Sequence, residues 1–214
     1  MIKSKKRNIS FSVIMPTYNN AQFIRRAINS LMNQLYDKWE LIIIDDGSKD
    51  NTYECIFDYL SDNRISYVIN NLNHGLGVAI NQGLDAARYD YIAYLPADDY
   101  YYDSHLFDIY EEFNSSEQFF LVCTGMAYEQ NDSISKVNDK QTKYLKKNYP
   151  LQLVQTALKK SNERWLERKE YVTSDLYKMY WCKLLDKGVF VSTGNISCYW
   201  TSHPHQRHKL INDK

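Results

Sequence analysis

Short apolar runs alternate with amphipathic stretches through the first half of the chain. FSVIMPTY (11–18), WELIIIDD (39–46), RISYVIN (64–70) and YDYIAYLP (89–96) are nearly continuous in apolar residues, the pattern of strands buried on both faces. Between the first two, AQFIRRAINSLMNQ (21–34) and the residue after it put Phe23, Ala27, Ile28, Leu31 and Leu35 on one helical face. DNTYECIFDYLSD (50–62), GVAINQGLDAA (77–87) and DSHLFDIYEEFN (103–114) predict three more helices. Strands and helices in alternation imply an α/β fold, a mainly parallel sheet covered by helices on both faces of a single domain. FFLVCTGMAYE (119–129) predicts a further strand, and the polar, Lys/Asn-rich residues 130–148 predict a loop. Helices are expected at 150–160 and 174–187, the second ended by Gly188 as a C-cap, and VFVSTGNISCYW (189–200) returns to strand character.

The polar residues fall where such a sheet binds ligands, in the crevice beyond the carboxyl ends of its strands. Pro16-Thr17-Tyr18-Asn19 follows the first strand, Asp45-Asp46-Gly47-Ser48 the second, Asn73-His74-Gly75 the third and Asp98-Asp99 the fourth. Two adjacent carboxylates at a buried strand end cost on the order of several kcal/mol unless a cation or hydrogen-bond donors compensate. The edge carries no Gly-x-x-x-x-Gly-Lys, and GLGVAINQG lacks the spacing of a dinucleotide fingerprint. Its carboxylates suit ribose hydroxyls, base N–H groups or a divalent cation, and its tyrosine ring suits stacking on a base.

Composition narrows the partners. Acids and bases balance at 26 each, so no global field attracts nucleic acid. The 19 tyrosines fit either a sugar- or base-contacting surface or half-buried packing. Cys55, Cys123, Cys182 and Cys198 lie far apart, which excludes a dithiol motif or zinc ribbon and suits a reducing compartment. The basic start, MIKSKKRNISFSVIM, has too short an apolar run for a signal peptide, and no stretch reaches membrane-span length. A cytoplasmic location is therefore expected, with at most peripheral membrane contact through KSKKR.

SVIMPTYNN, ELIIIDDGSKDNT, NHGLGVAINQGL and YIAYLPADD, in this order and spacing, resemble the N-terminal half of the inverting family 2 glycosyltransferases of GT-A (Rossmann-like) fold. The likeness covers about residues 11–100 and continues more loosely to about residue 188. It implies a nucleotide-sugar-binding half at 1–100, an acceptor-binding and catalytic half at 101–200 and a basic, His-rich tail at 201–214. The implied partners are a nucleotide-sugar donor, UDP-linked by preference, and a glycan or lipid-linked acceptor, with Mn2+ or Mg2+ as cofactor.

Residue by residue, the resemblance implies that Pro16, Thr17 and Tyr18 bound the base pocket. Asp46 would accept from the base, and Asp45 would shape the turn or bind the nucleotide. Asp99 would ligate the metal, with Asp98 on the ribose or a metal-bound water. Asn73 and Gly75 would line the donor site, and Asn81 would either line it or hold the loop together. The family's acid two residues before Asp98 is Pro96 here, and its arginine before Asn81 is Ile80, so Arg88 or a C-terminal residue is expected to supply the missing positive charge. Asp175, in VTSDLYKMYWCKLLDKG, corresponds to the catalytic base, with Glu163, Glu167 and Glu170 as alternatives. One of His203, His205 and His208 would contact metal or diphosphate, and Trp165 or Trp181 either faces an acceptor sugar or packs in the core. A nucleotidyltransferase and an inactive sugar-nucleotide-binding module are the competing readings.

Overall fold

The computed structural model describes residues 6–130, 133–137, 151–167, 173–204 and 206. The first half follows the alternation of the sequence: β1 (Phe11–Thr17), α1 (Ala21–Met32), β2 (Trp39–Asp45), α2 (Thr52–Ile56), β3 (Ile65–Ile69), α3 (Leu76–Ala86), β4 (Tyr91–Tyr94), β5 (Tyr100–Tyr101) and α4 (His105–Ser115). The second half contains β6 (Phe119–Gln130), β7 (Ser133–Val137), β8 (Thr156–Lys159), α5 (Thr173–Lys183) and β9 (Val189–Trp200). One sheet holds all nine strands in the order β3-β2-β1-β4-β8-β6-β9-β5, with β7 paired to β6. The chain leaves β1 toward β2 and β3 on one side and pairs β1 with β4 on the other, all in parallel. That reversal makes a topological switch point between β1 and β4, the crevice where open α/β sheets bind ligands.

Alternate side chains of each central strand feed two separate cores, as strand geometry requires. Val13, Met15, Leu41 and Ile43 pack with Ile24, Ala27, Ile28 and Leu31 of α1 and with Leu106, Ile109 and Phe113 of α4. Ile14, Ile42, Ile44 and Ile92 pack on the other face with Ala79, Ile80 and Leu84 of α3 and with Leu176, Tyr180 and Trp181 of α5. Burying each such large side chain contributes about 1.5–3 kcal/mol, so helices on both faces are held by the sheet rather than by their own propensity. Among the described residues no helix is long and apolar enough to cross a membrane.

Several sequence expectations need correction. The 150–160 segment is a short 3-10 turn, Leu153–Gln155, followed by strand β8. Its apolar run fills the gap between β4 and β6, with Ala157 opposite both Ala93 and Val122, and a short buried run has no periodicity to separate strand from helix. Within the expected loop, Ser133–Val137 is β7, antiparallel to the far end of β6, while 138–148 lie outside the described residues. Leu35 lies beyond α1 and is 71% exposed. The expected helix at 50–62 divides into α2 and a 3-10 turn, Phe57–Ser61. Around β8 the sheet turns antiparallel, and β5, too short to stand out in the sequence, pairs antiparallel with β9.

Candidate active site

The carboxyl ends of β1 to β4 share one edge, and three of the four expected clusters are woven together there. Asp45 accepts from the Ser48 amide (2.8 Å) and the Tyr67 hydroxyl (2.8 Å), which closes the turn after β2. Burial, followed by the bond to Asp45, raises the Tyr67 hydroxyl well above the usual tyrosine range, so it remains a donor. Asp46 accepts from the Asn70 side-chain amide (3.0 Å) and from the amides of His74 (2.8 Å) and Gly75 (2.6 Å). A carboxylate has about four lone-pair sites, so these three bonds leave one unused while Asp46 fixes the loop that leads into α3. The loop after β1 is tied to the same turn. Asn19, held at φ 54°, donates its amide to Ser48 Oγ (2.9 Å) and accepts from the Lys49 amide (2.7 Å). Asp50 caps α1 by accepting from the Ala21 amide (3.0 Å). Asn73 is half-buried at this rim, Tyr18 stands out with 44% exposure, and the buried Thr17 hydroxyl has no partner among the described residues.

The fourth cluster separates the two neighbouring acids. Asp99 is 3% exposed, and its Oδ1 accepts from the Thr201 amide (2.8 Å). Burial, and next the charge of Asp98, push its carboxyl well above the usual carboxylate range. Asp99, implied as the metal ligand by the family likeness, is buried here and anchors the chain beyond β9. Asp98 is the acid with access: its Oδ2 lies 3.1 Å from His203 Nε2. The His203 ring packs at 4.7 Å from the Phe23 ring, and its Nδ1 is buried without a partner among the described residues. His205 and His208 lie outside the described residues.

A carboxylate oxygen beside an imidazole nitrogen is a donor set that suits a first-row divalent ion, Mn2+ better than Mg2+. Among the described residues no group of three or more His, Cys, Asp or Glu could hold a metal. A cation here would depend on Asp98, His203, water and its phosphate ligand, in keeping with Pro96 at the position of the family's additional acid.

Other expected residues have structural roles. Asn81 donates to the Trp165 carbonyl (3.0 Å) and Glu167 Oε1 (2.8 Å) and accepts from the Trp165 amide (2.9 Å), so its side chain pins residues 165–167 instead of lining the site. Arg88 is bound to the buried Glu40 (2.6 Å), beside Ser12 at the amino-terminal end of the sheet, and supplies no charge to the donor edge. Trp165 and Trp181 are core residues: Trp165 stacks on Tyr180 (4.1 Å), and Trp181 Nε1 donates to the Leu151 carbonyl (3.1 Å). Glu163 pairs with Lys187 (3.1 Å), and Glu170 lies outside the described residues. Asp175 sits in the first turn of α5.

Sequence reading missed Arg26. Its Nη2 donates to the Asp98 carbonyl (2.7 Å) and to Thr201 Oγ1 (2.7 Å), and its guanidinium lies 4.7 Å from the Tyr100 ring centroid. An arginine one turn after Phe23 on an amphipathic helix carries no signal of its own in the sequence. Tyr100 also stacks on Tyr199 (4.8 Å), Tyr101 donates to the Tyr94 carbonyl (2.6 Å), and Tyr100–Asp103 border an open groove of about 700 Å³ against α1.

The sequence profile of Glycosyl transferase family 2 matches residues 12–188. The chain belongs to glycosyl transferase family 2. Among curated family 2 relatives, the poly-beta-1,6-N-acetyl-D-glucosamine synthase of Staphylococcus epidermidis is 31% identical over 134 residues, which are 62% of this chain and 32% of that protein. Among solved structures, S. aureus TarS in complex with UDP-GlcNAc superposes with a TM-score of 0.80 at 19% identity, covering 94% of this chain and 60% of that one. The mannosyltransferase PcManGT from Pyrobaculum calidifontis, in complex with GDP-Man and Mn2+, gives 0.73 at 15% identity, covering 95% and 60%. These structures establish the GT-A fold for the family 2 chain. It spans about a third of the length of the curated relative and three-fifths of each solved one.

Proposed function

We propose that this chain transfers a sugar from a UDP-linked donor to a hydroxyl of a glycan or lipid-linked acceptor, with inversion, in the assembly of a cytoplasmically made surface polysaccharide. The observation that carries the reading is the Asp98–His203 pair at the switch point of a family 2 sheet. In it, residues 1–100 form the donor half and 101–200 the acceptor half. The exposed Tyr18 ring stacks on the base, with Pro16 and Thr17 behind it. The last acceptor site of Asp46 takes a base N–H, while Asn73 and Gly75 form the rim. Asp98 and His203 hold Mn2+, in place of the Asp99 ligand implied by the family likeness. The ion supplies neutralising charge for the departing diphosphate. Asp175 takes the acceptor hydroxyl proton as that oxygen attacks the anomeric carbon. The bond to the diphosphate oxygen breaks on the opposite side. The names of the Staphylococcus epidermidis synthase and of TarS with UDP-GlcNAc support an N-acetylhexosamine donor, whereas the mannosyltransferase with GDP-Man does not.

A thermal-shift panel of UDP, GDP, dTDP and CMP with and without Mn2+ tests the donor reading, because a ligand of the folded state raises apparent stability by mass action. UDP with Mn2+ should shift the midpoint most, and Asp98→Ala should abolish the metal-dependent part. Asp175→Asn should keep that shift and lose turnover. Equal shifts for all four nucleotides, independent of metal, would sink the assignment.

A further inference from the structure

We propose that Arg26 is a positioning residue, a clasp that holds residues 201–204 and 206 against the acidic turn and so keeps His203 at Asp98. The proposal rests on reading Asp98 and His203 as the metal pair. A metal-binding histidine ordinarily has its second ring nitrogen hydrogen-bonded, and that bond fixes the ring's orientation. His203 Nδ1 has no such partner among the described residues, so the ring must be aimed by its backbone and by packing. The hydrogen bonds of the segment converge on Gln206, which ties His203 to Thr201. Gln206 donates its side-chain amide to the Thr201 carbonyl (2.6 Å), accepts from the His203 amide (3.3 Å) and donates its own amide to the His203 carbonyl (3.3 Å). What fixes Thr201 therefore fixes the loop that carries His203.

Thr201 is fixed from two directions. Its amide donates to Asp99, and its hydroxyl accepts from Arg26. One Nη2 carries two hydrogens, and Arg26 gives one to Thr201 and the other to the Asp98 carbonyl, joining the segment to the turn that bears the acid. The guanidinium is placed by the Tyr100 ring at 4.7 Å and the Phe23 ring at 5.5 Å. Phe23 in turn packs on His203, so two residues one turn apart on α1 set the height and tilt of the imidazole. A lysine keeps the charge but lacks the planar fork, so it should not replace the clasp.

The test uses the full chain and two readouts. Amide hydrogen exchange at Thr201 and His203 reports the clasp directly. Mn2+ titration followed by electron paramagnetic resonance reports its effect on the pair. Arg26→Ala and Arg26→Lys should speed exchange at both amides at least about tenfold and weaken Mn2+ binding about tenfold, in the range expected for hydrogen bonds from a charged donor. Thr201→Val, which removes only the hydroxyl, should reproduce part of both effects. In a His203→Ala background, Arg26→Ala should weaken Mn2+ binding no further, because the two act through one ring. Unchanged exchange in Arg26→Ala, or losses of Mn2+ affinity that add, would overturn the clasp. If His203→Ala and Asp98→Ala both bind Mn2+ as the wild type does, the metal reading falls and the exchange rates alone decide whether Arg26 holds the segment.

Discussion

Three internal donors converge on the carboxylate of Asp46, two of them backbone amides that no other described group accepts from. Asp46→Asn replaces one acceptor oxygen with a donor and leaves a buried N–H facing another N–H. Stability should fall by about 1–3 kcal/mol, read from urea midpoints, and exchange at His74 and Gly75 should rise. A mutant as stable as the wild type would show that the loop is held by other contacts. Residue identity was legible at this scale while residue role was not. That Asp45-Asp46 and Asp98-Asp99 share one edge of the sheet follows from their place after apolar strands. Asp45 and Asp46 are both buried while Asp98 is less buried than Asp99, and the partners that decide this are distant in sequence, Tyr67 for Asp45, His74 and Gly75 for Asp46 and Thr201 for Asp99. The choice between the two roles of Asn81, and the place of Arg88, were illegible for the same reason, since Trp165 and Glu40 are invisible in their local windows.

At the scale of elements, Gly77 shows why α3 lies where it does. A Cβ there would fall 1.9 Å from the Leu166 carbonyl oxygen, a backbone atom with no rotamer to yield. Alanine is the better helix former by about 1 kcal/mol, so helix propensity alone predicts that Gly77→Ala stabilises. The close approach predicts the opposite: a loss of at least about 2 kcal/mol, of the size of overpacking effects. A change in Trp165 emission should accompany it as residues 165–167 are pushed off Asn81. A raised melting temperature would refute the packing account. The elements around Gly77 were readable because βαβ units carry their periodicity locally. The 150–160 segment was not, because β8 is defined by the gap between β4 and β6, which no window of sequence contains.

For the whole molecule, pH separates two buried groups of opposite sign. His105, fully buried between Tyr101 and Ser197, is lowered by burial to a pKa of about 3. The unfolded chain binds a proton there below about pH 6.5 that the folded chain refuses, so this contribution is lost as pH falls, by up to about 1.4 kcal/mol per unit. Asp99, raised by burial and by Asp98, acts in the other direction: the folded state holds a proton that the unfolded state releases above about pH 3.9, and that contribution is lost as pH rises. Cys198 also lies in this region, and burial raises its thiol out of the window. Comparing unfolding free energies at about pH 7.5 and pH 5 in wild type and His105→Phe isolates the histidine. The wild type should lose about 2 kcal/mol more than the variant over that interval, and parallel profiles would remove His105 as the cause.

The pairing of β5 with β9 also sets an order of events during synthesis. β5 pairs only with a strand that begins at Val189, and Asp99 meets its amide donor only at Thr201. A chain emerging amino-terminus first can build β1 to β4 and their helices from neighbours already made. The acidic turn must wait about a hundred residues more, and until then Asp99 is a buried-site acid without its donor. Assembly of the nascent protein therefore completes at this turn, and a ribosome stalled before residue 201 would display β1 to β4 already paired, with the Asp98–Asp99 turn not yet joined to Thr201.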